Sequence, residues 1–161
     1  MLRELQTVAN KNIDAMYRAA SAMETGMGVV KNYVDKTAGF PEADASANLF
    51  FVEKERVPTG TNAAKTDMSD YDDNFVKVAE GELIELIAPL TGERYAVSAY
   101  DKSGLSVGDS MCVGTDGKWK KAAAASRFLY GGEYADAGHT LAIIEIAADA
   151  ATTTTDSEDG E

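Results

Sequence analysis

Apolar and polar positions divide this chain into three stretches with different rhythms. Over residues 1–25, Leu2, Ala9, Met16 and Met23 recur every seven residues, and Leu5, Val8, Ile13 and Ala20 fall on neighbouring positions of the same stripe. That spacing predicts an amphipathic N-terminal arm, helical over 1–25, with Gly26 and Gly28 as its C-terminal punctuation. The competing reading is extended: Met16 to Met23 as a strand paired with Gly28 to Tyr33. From about Leu49 to Ala147 the rhythm is that of strands. Leu49-Phe50-Phe51-Val52 and Leu83 to Ala88 are unbroken apolar runs, whereas Tyr95, Val97 and Ala99 alternate with Arg94, Ala96 and Ser98. Gly114-Thr115-Asp116-Gly117 between two strand-like runs is a strong hairpin signal.

Turn signals recur about every 8–12 residues in this stretch, and no strand–helix alternation appears, so a parallel sheet is not indicated. The expected fold is therefore mainly β: a small antiparallel β sandwich or barrel, with an N-terminal helical or extended arm. The β domain spans 26–147, with a loop-rich insertion at about 53–74 carrying Pro58 and Gly60. Beyond Ile146 there is no large apolar side chain, so 148–161 is expected to be a flexible acidic tail.

Charge narrows the partners. The chain carries 27 acidic and 15 basic residues, a net charge of −12. Five of the acids lie after Ala147, so most of the excess belongs to the body. Nucleic acid is not an expected partner, because phosphate binding rests on clustered Lys and Arg. Lys118-Trp119-Lys120-Lys121 is too short a run to reverse this, and reads as a solvated strand edge. No stretch approaches the roughly 18 apolar residues of a membrane helix, so no membrane partner is expected. The first dozen residues lack an apolar h-region and a cleavage site, so no signal peptide is expected.

Candidate chemistry is sparse. The single Cys112 lies between Met111 and Val113 as a small hydrophobe would, and the single His139 is far away in sequence. Glu80, Glu82, Glu85 and Glu93 offer carboxylates but no defined separation for a glycosidase-like pair. Asp67, Asp70, Asp72, Asp73 and Asn74 miss the alternating acids, the Gly and the closing Glu of an EF-hand. They suit a solvated loop or a face for a basic patch on a partner. Gly108, Gly114, Gly117 and the Gly131-Gly132 pair match no phosphate-binding motif. Trp119, Tyr130 and Tyr134 could pack the sheet or form an exposed aromatic patch. No catalytic residue, metal or cofactor is expected. The candidate contact residues are the apolar stripe, Leu2, Leu5, Val8, Ile13 and Met16, together with Asp70, Asp72 and Asp73 of the acidic loop.

The order of segments carries a resemblance. Gly-Met-Gly-Val-Val-Lys (26–31) precedes Leu-Phe-Phe-Val-Glu-Lys (49–54), Asp-Tyr-Asp-Asp (70–73), Glu-Gly-Glu-Leu (80–83) and Gly-Glu-Arg-Tyr (92–95). Leu-x-x-Gly-Asp (105–109), Gly-x-Asp-Gly-Lys-Trp (114–119) and Leu-Ala-Ile-Ile-Glu-Ile (141–146) follow. This succession, over roughly residues 22–147, resembles the capsid decoration (cement) proteins of tailed bacteriophages. The resemblance implies a non-enzymatic β domain on the outside of an icosahedral shell, bridging capsomers. Its partners would be the major capsid protein and further copies of itself, often as a trimer; it would be made in the host cytoplasm and reside on the virion. A head-fibre or tail component, or a small β module binding carbohydrate or peptide, is the alternative. The binding module would show an exposed aromatic patch around Trp119.

Overall fold

The computed structural model describes residues 1–8, 13–54 and 73–148. The N-terminal part forms β1 (Leu2–Gln6), β2 (Ile13–Ala19), β3 (Met23–Glu24), β4 (Gly28–Asn32) and β5 (Thr37–Gly39). β6 (Phe50–Glu53) follows, and the next described residues form one helical turn, α1 (Asp73–Val76), and β7 (Lys77–Val78). The rest is β8 (Leu83–Ile87), β9 (Arg94–Val97), β10 (Met111–Val113), β11 (Trp119–Lys121), β12 (Phe128–Asp136) and β13 (His139–Ile146).

The fold is mainly β, as the sequence predicts, and its centre is a closed five-stranded barrel in the order β2-β5-β4-β6-β8. Only the β2–β5 pair in it is parallel, with Arg18 opposite Thr37 and Ala19 opposite Ala38. An antiparallel sheet, β1-β9-β13-β12, lies beside the barrel, with the β10–β11 hairpin and the short β3–β7 ribbon.

The two apolar runs explain how these units share an interior. Successive strand residues point to opposite faces. Phe51 and Ile87 enter a core with Tyr95, Trp119, Phe128 and Ile144. Their neighbours Val52 and Leu86 enter the barrel core with Tyr17, Val29 and Ile84. β6 and β8 are thus a wall between two cores. A strand buried on both faces has no reason to alternate, which is why both segments read as unbroken apolar runs.

The N-terminal helix is a misreading. Residues 2–6, 13–19 and 23–24 are strands, and the segment is part of the domain rather than an arm. β1 pairs with β9, Leu2 opposite Val97, and Met1 and Leu2 are buried. The Met1 ammonium donates to Thr25 O at 2.6 Å and to Ser98 Oγ at 2.5 Å, and burial lowers its pKa to about 6. The strand alternative also had the wrong partner, since β2 pairs with β5 and β8, not with β4. Helix propensity in Leu, Met and Ala is worth only tenths of a kcal/mol per residue, and distant strand partners outweigh it. The hairpin at 114–117 is where the Asp-Gly pair puts it, with Gly117 N–H donating to Gly114 O at 3.0 Å.

Gly26 and Gly28 do not end a helix; they let backbone approach backbone. Gly26 has φ +88°, and a Cβ there would lie 2.5 Å from Met1 O. Gly28 N–H donates to Gly117 O at 2.9 Å, and a Cβ on Gly28 would lie 2.2 Å from Val113 Cγ2. Gly28→Ala is expected to lower the unfolding free energy by about 1–3 kcal/mol, the usual range for overpacking. Adding Val113→Ala makes room for the new methyl, so the double variant should be more stable than the summed single losses imply. Urea unfolding of the four proteins checks this, and strict additivity would mean that the clash is not the cause.

Candidate functional site

Strongly exposed apolar side chains stand on β2 and on the turn joining β4 to β5. A bulge between Asp14 and Tyr17 breaks the register of β2 against β8. Such a bulge re-aims side chains. Met16 is 76% exposed while Tyr17 is buried in the barrel core. The β4–β5 turn is held by Asn32, whose Oδ1 accepts the N–H groups of Val34 at 3.0 Å and Asp35 at 3.2 Å. Its Nδ2 donates to Asp35 Oδ2 at 2.8 Å. This is the side-chain mimicry by which Asn builds turns. Its effect is to leave Tyr33 68% and Val34 89% exposed on an ordered support.

A charged and aromatic stack underlies the turn. The Tyr17 and Tyr33 rings meet edge to face, 6.4 Å apart at 88°. Lys31 Nζ lies 4.8 Å from the Tyr17 centroid and 4.2 Å from that of Phe50, and donates to Asp14 Oδ2 at 2.8 Å. Lys36 Nζ lies 5.6 Å from the Tyr17 centroid. Cation–π contacts of this kind add to an ion pair that exposure alone would leave weak.

The Lys31 hydrogen bond is the main reason the Asp14 pKa lies below its ordinary 3.8. A lowered carboxylate pKa stabilises the fold above the unfolded value, and that contribution disappears as pH falls through the folded value. Stability should therefore drop on acidification below about pH 4, and Asp14→Asn should flatten that drop while lowering stability at pH 7. Urea midpoints of both proteins from pH 2 to 7 check it; equal slopes would remove Asp14 from the account.

The predicted contact residues do not converge. Leu2 is in the core and presents nothing to a partner. This corrects its place among the contacts: in a strand it shares no face with Met16. Leu5 is half-buried, while Val8 and Ile13 are exposed. Asp73 is exposed at the start of α1 and pairs with Lys77 at 2.8 Å. Asp70 and Asp72, with the rest of residues 55–72 and residues 149–161, on which the expected loop and acidic tail fall, lie outside the described residues. Tyr33 and Val34 were missed, although Asn32-Tyr-Val-Asp35 is turn chemistry around two large apolar residues.

Other features offer little to a small molecule. Among the described residues, no three His, Cys, Asp or Glu side chains are grouped to hold a metal ion. Cys112 is buried, and burial raises its thiol pKa, which disfavours the thiolate a nucleophile needs. Trp119 and Tyr130 are buried in the sheet core, so neither belongs to an exposed aromatic patch. A depression of about 200 Å³ lined by Gln6, Glu93, Arg94 and Glu145 is smaller than the usual ligand pocket of roughly 300–1,000 Å³. No family model, no curated protein and no solved structure matches the chain.

Proposed function

We propose that this protein is a structural virion component that binds the outer surface of a tailed-phage capsid and stabilises contacts between capsomers. The reading starts from the order of turn and strand segments. The observation that carries it furthest is the set of exposed apolar side chains, Met16, Tyr33 and Val34, held on a braced part of the barrel. A shell repeats its binding sites many times, so a modest contact per copy suffices when copies also touch each other. The acidic body favours solubility before assembly and discourages binding to DNA. The major capsid protein and further copies of this chain are the partners, and the capsid exterior is the location. The rival reading, a carbohydrate- or peptide-binding module, depended on an exposed aromatic patch around Trp119, and Trp119 is fully buried.

The test mixes purified protein with mature phage shells that lack it, followed by co-sedimentation and heating. Wild type should sediment with the shells and raise their disruption temperature. A Met16→Ser, Tyr33→Ser, Val34→Ser triple variant, folded by circular dichroism, should bind at least tenfold more weakly. Shells that remain bare at saturating protein would overturn the proposal.

A further inference from the structure

Among the described residues, the Thr25 side chain is buried without a hydrogen-bond partner. Thr25 follows β3 and is 5% exposed, and its Oγ1 makes no hydrogen bond within the described residues. Its backbone is fully engaged: the N–H donates to Val76 O at 2.9 Å, and the carbonyl accepts from the Met1 ammonium at 2.6 Å. A buried hydroxyl left unsatisfied destabilises the fold, so one that is retained without a partner is unusual.

The surroundings supply a reason. Thr25 lines a crevice with Met1, Leu2, Glu53, Lys54 and Phe75, and its volume is about 10 Å³. On that measure, roughly 10–15 Å³ is the room one water molecule needs, and a buried water also needs two to four polar partners. Leu2 and Phe75 close the crevice with apolar surface, while Thr25, Glu53, Lys54 and Met1 bring polar groups to it. Four chain segments distant in sequence meet here: the start of β1, the β3 region, the end of β6 and α1.

We infer that this crevice is a binding site for a single structural water held by Thr25 Oγ1. The hydroxyl donates to the water or accepts from it, and the water spends its other bonds on the polar groups that share the crevice. The site is too small for an organic ligand. The water acts as a polar pin between the first strand and the barrel, beside the apolar contact that Leu2 makes with the Phe51 and Ile87 core.

A high-resolution crystal structure and water-to-protein nuclear Overhauser effects on the Thr25 methyl group test this. Wild type should show a water within hydrogen-bond distance of Thr25 Oγ1, with a contact long-lived enough for the Overhauser transfer. Thr25→Ser keeps the hydroxyl and should keep the water. Thr25→Val is close in shape and removes the hydroxyl; it should lose the water and lower the folding constant about 5–30-fold. A dry crevice in wild type would overturn the inference, and so would a water that stays equally well ordered in Thr25→Val. If Thr25→Val does not fold, wild type and Thr25→Ser decide between the same outcomes.

Discussion

Trp119→Ala should remove about 3–5 kcal/mol of stability, the range for deleting a large aromatic side chain from a core. Trp119 is fully buried between the Phe51 ring, stacked at 5.0 Å and 30°, and the Phe128 ring, tilted at 5.0 Å and 55°. Phe51 comes from the shared wall strand β6 and Phe128 from the edge strand β12, so the indole joins the barrel to the sheet. It also has a polar anchor, since Nε1–H donates to Gly26 O at 3.0 Å. Gly26 follows the β3 ribbon, 93 residues away in sequence. Trp119→Phe keeps most of the apolar contact and leaves that carbonyl without its donor. It should cost about 1–3 kcal/mol, the penalty of an unsatisfied buried group plus a small loss of packing. Urea unfolding followed by far-ultraviolet circular dichroism compares the two, because the chain has no other Trp to report by fluorescence. Equal losses for Phe and Ala would shift the weight from packing to the hydrogen bond. A loss below about 1 kcal/mol for Ala would mean that this core is not packed as described.

The same residue marks what the sequence made legible. Local chemistry located the strands around it: the Asp-Gly hairpin produced β10 and β11, and apolar runs produced β6 and β8. It could not show that the Trp119 indole reaches Gly26, or that the barrel closes through a parallel β2–β5 pair. Those are long-range choices, and no short window contains both partners. The N-terminal stripe failed for a related reason. Leu2, Met16 and Met23 recur at a helical interval, yet as strand residues they go to the sheet core, to solvent and to the barrel core. A bulge in β2 further scrambles the period-two signal that would have exposed the error. Of the candidate site, Met16 was readable as an apolar residue available to a partner. For Tyr33 and Val34 only the turn was readable, from Asn32 and Asp35; that both side chains stay exposed depends on how the turn stands on the barrel.

Glu93→Ala should be comparably damaging, at about 3–5 kcal/mol, although no sequence pattern singled this residue out as structural. Its side chain is 1% exposed, and three donors converge on its carboxylate. Oε2 accepts from Leu90 N–H at 2.8 Å and from the Tyr95 hydroxyl at 2.6 Å, while Oε1 accepts from Val8 N–H at 3.1 Å. One carboxylate therefore ties the end of β1, the turn before β9 and the aromatic core together. Hydrogen bonds to a charged acceptor are worth about 1.5–3 kcal/mol each; deleting the acceptor strands the buried Tyr95 hydroxyl, while the part-buried Leu90 and Val8 N–H groups lose a charged partner. Glu93→Gln preserves the shape but replaces one acceptor oxygen with an NH₂ that faces a donor. It should cost less, about 1–2 kcal/mol, and the order wild type, Gln, Ala in urea midpoint checks the argument. The neighbouring tyrosine adds an independent readout. Burial first, and then the Glu93 carboxylate, raise the Tyr95 pKa far above its ordinary 10. A phenol protonated in the fold but free to ionise when unfolded makes stability fall as pH rises through about 10. With the Glu93 charge gone, Tyr95 should ionise at a lower pH in Glu93→Gln, while burial still holds it above 10. Ultraviolet titration of the tyrosines follows this directly, and an unchanged Tyr95 titration in the Gln variant would break the link between the two side chains.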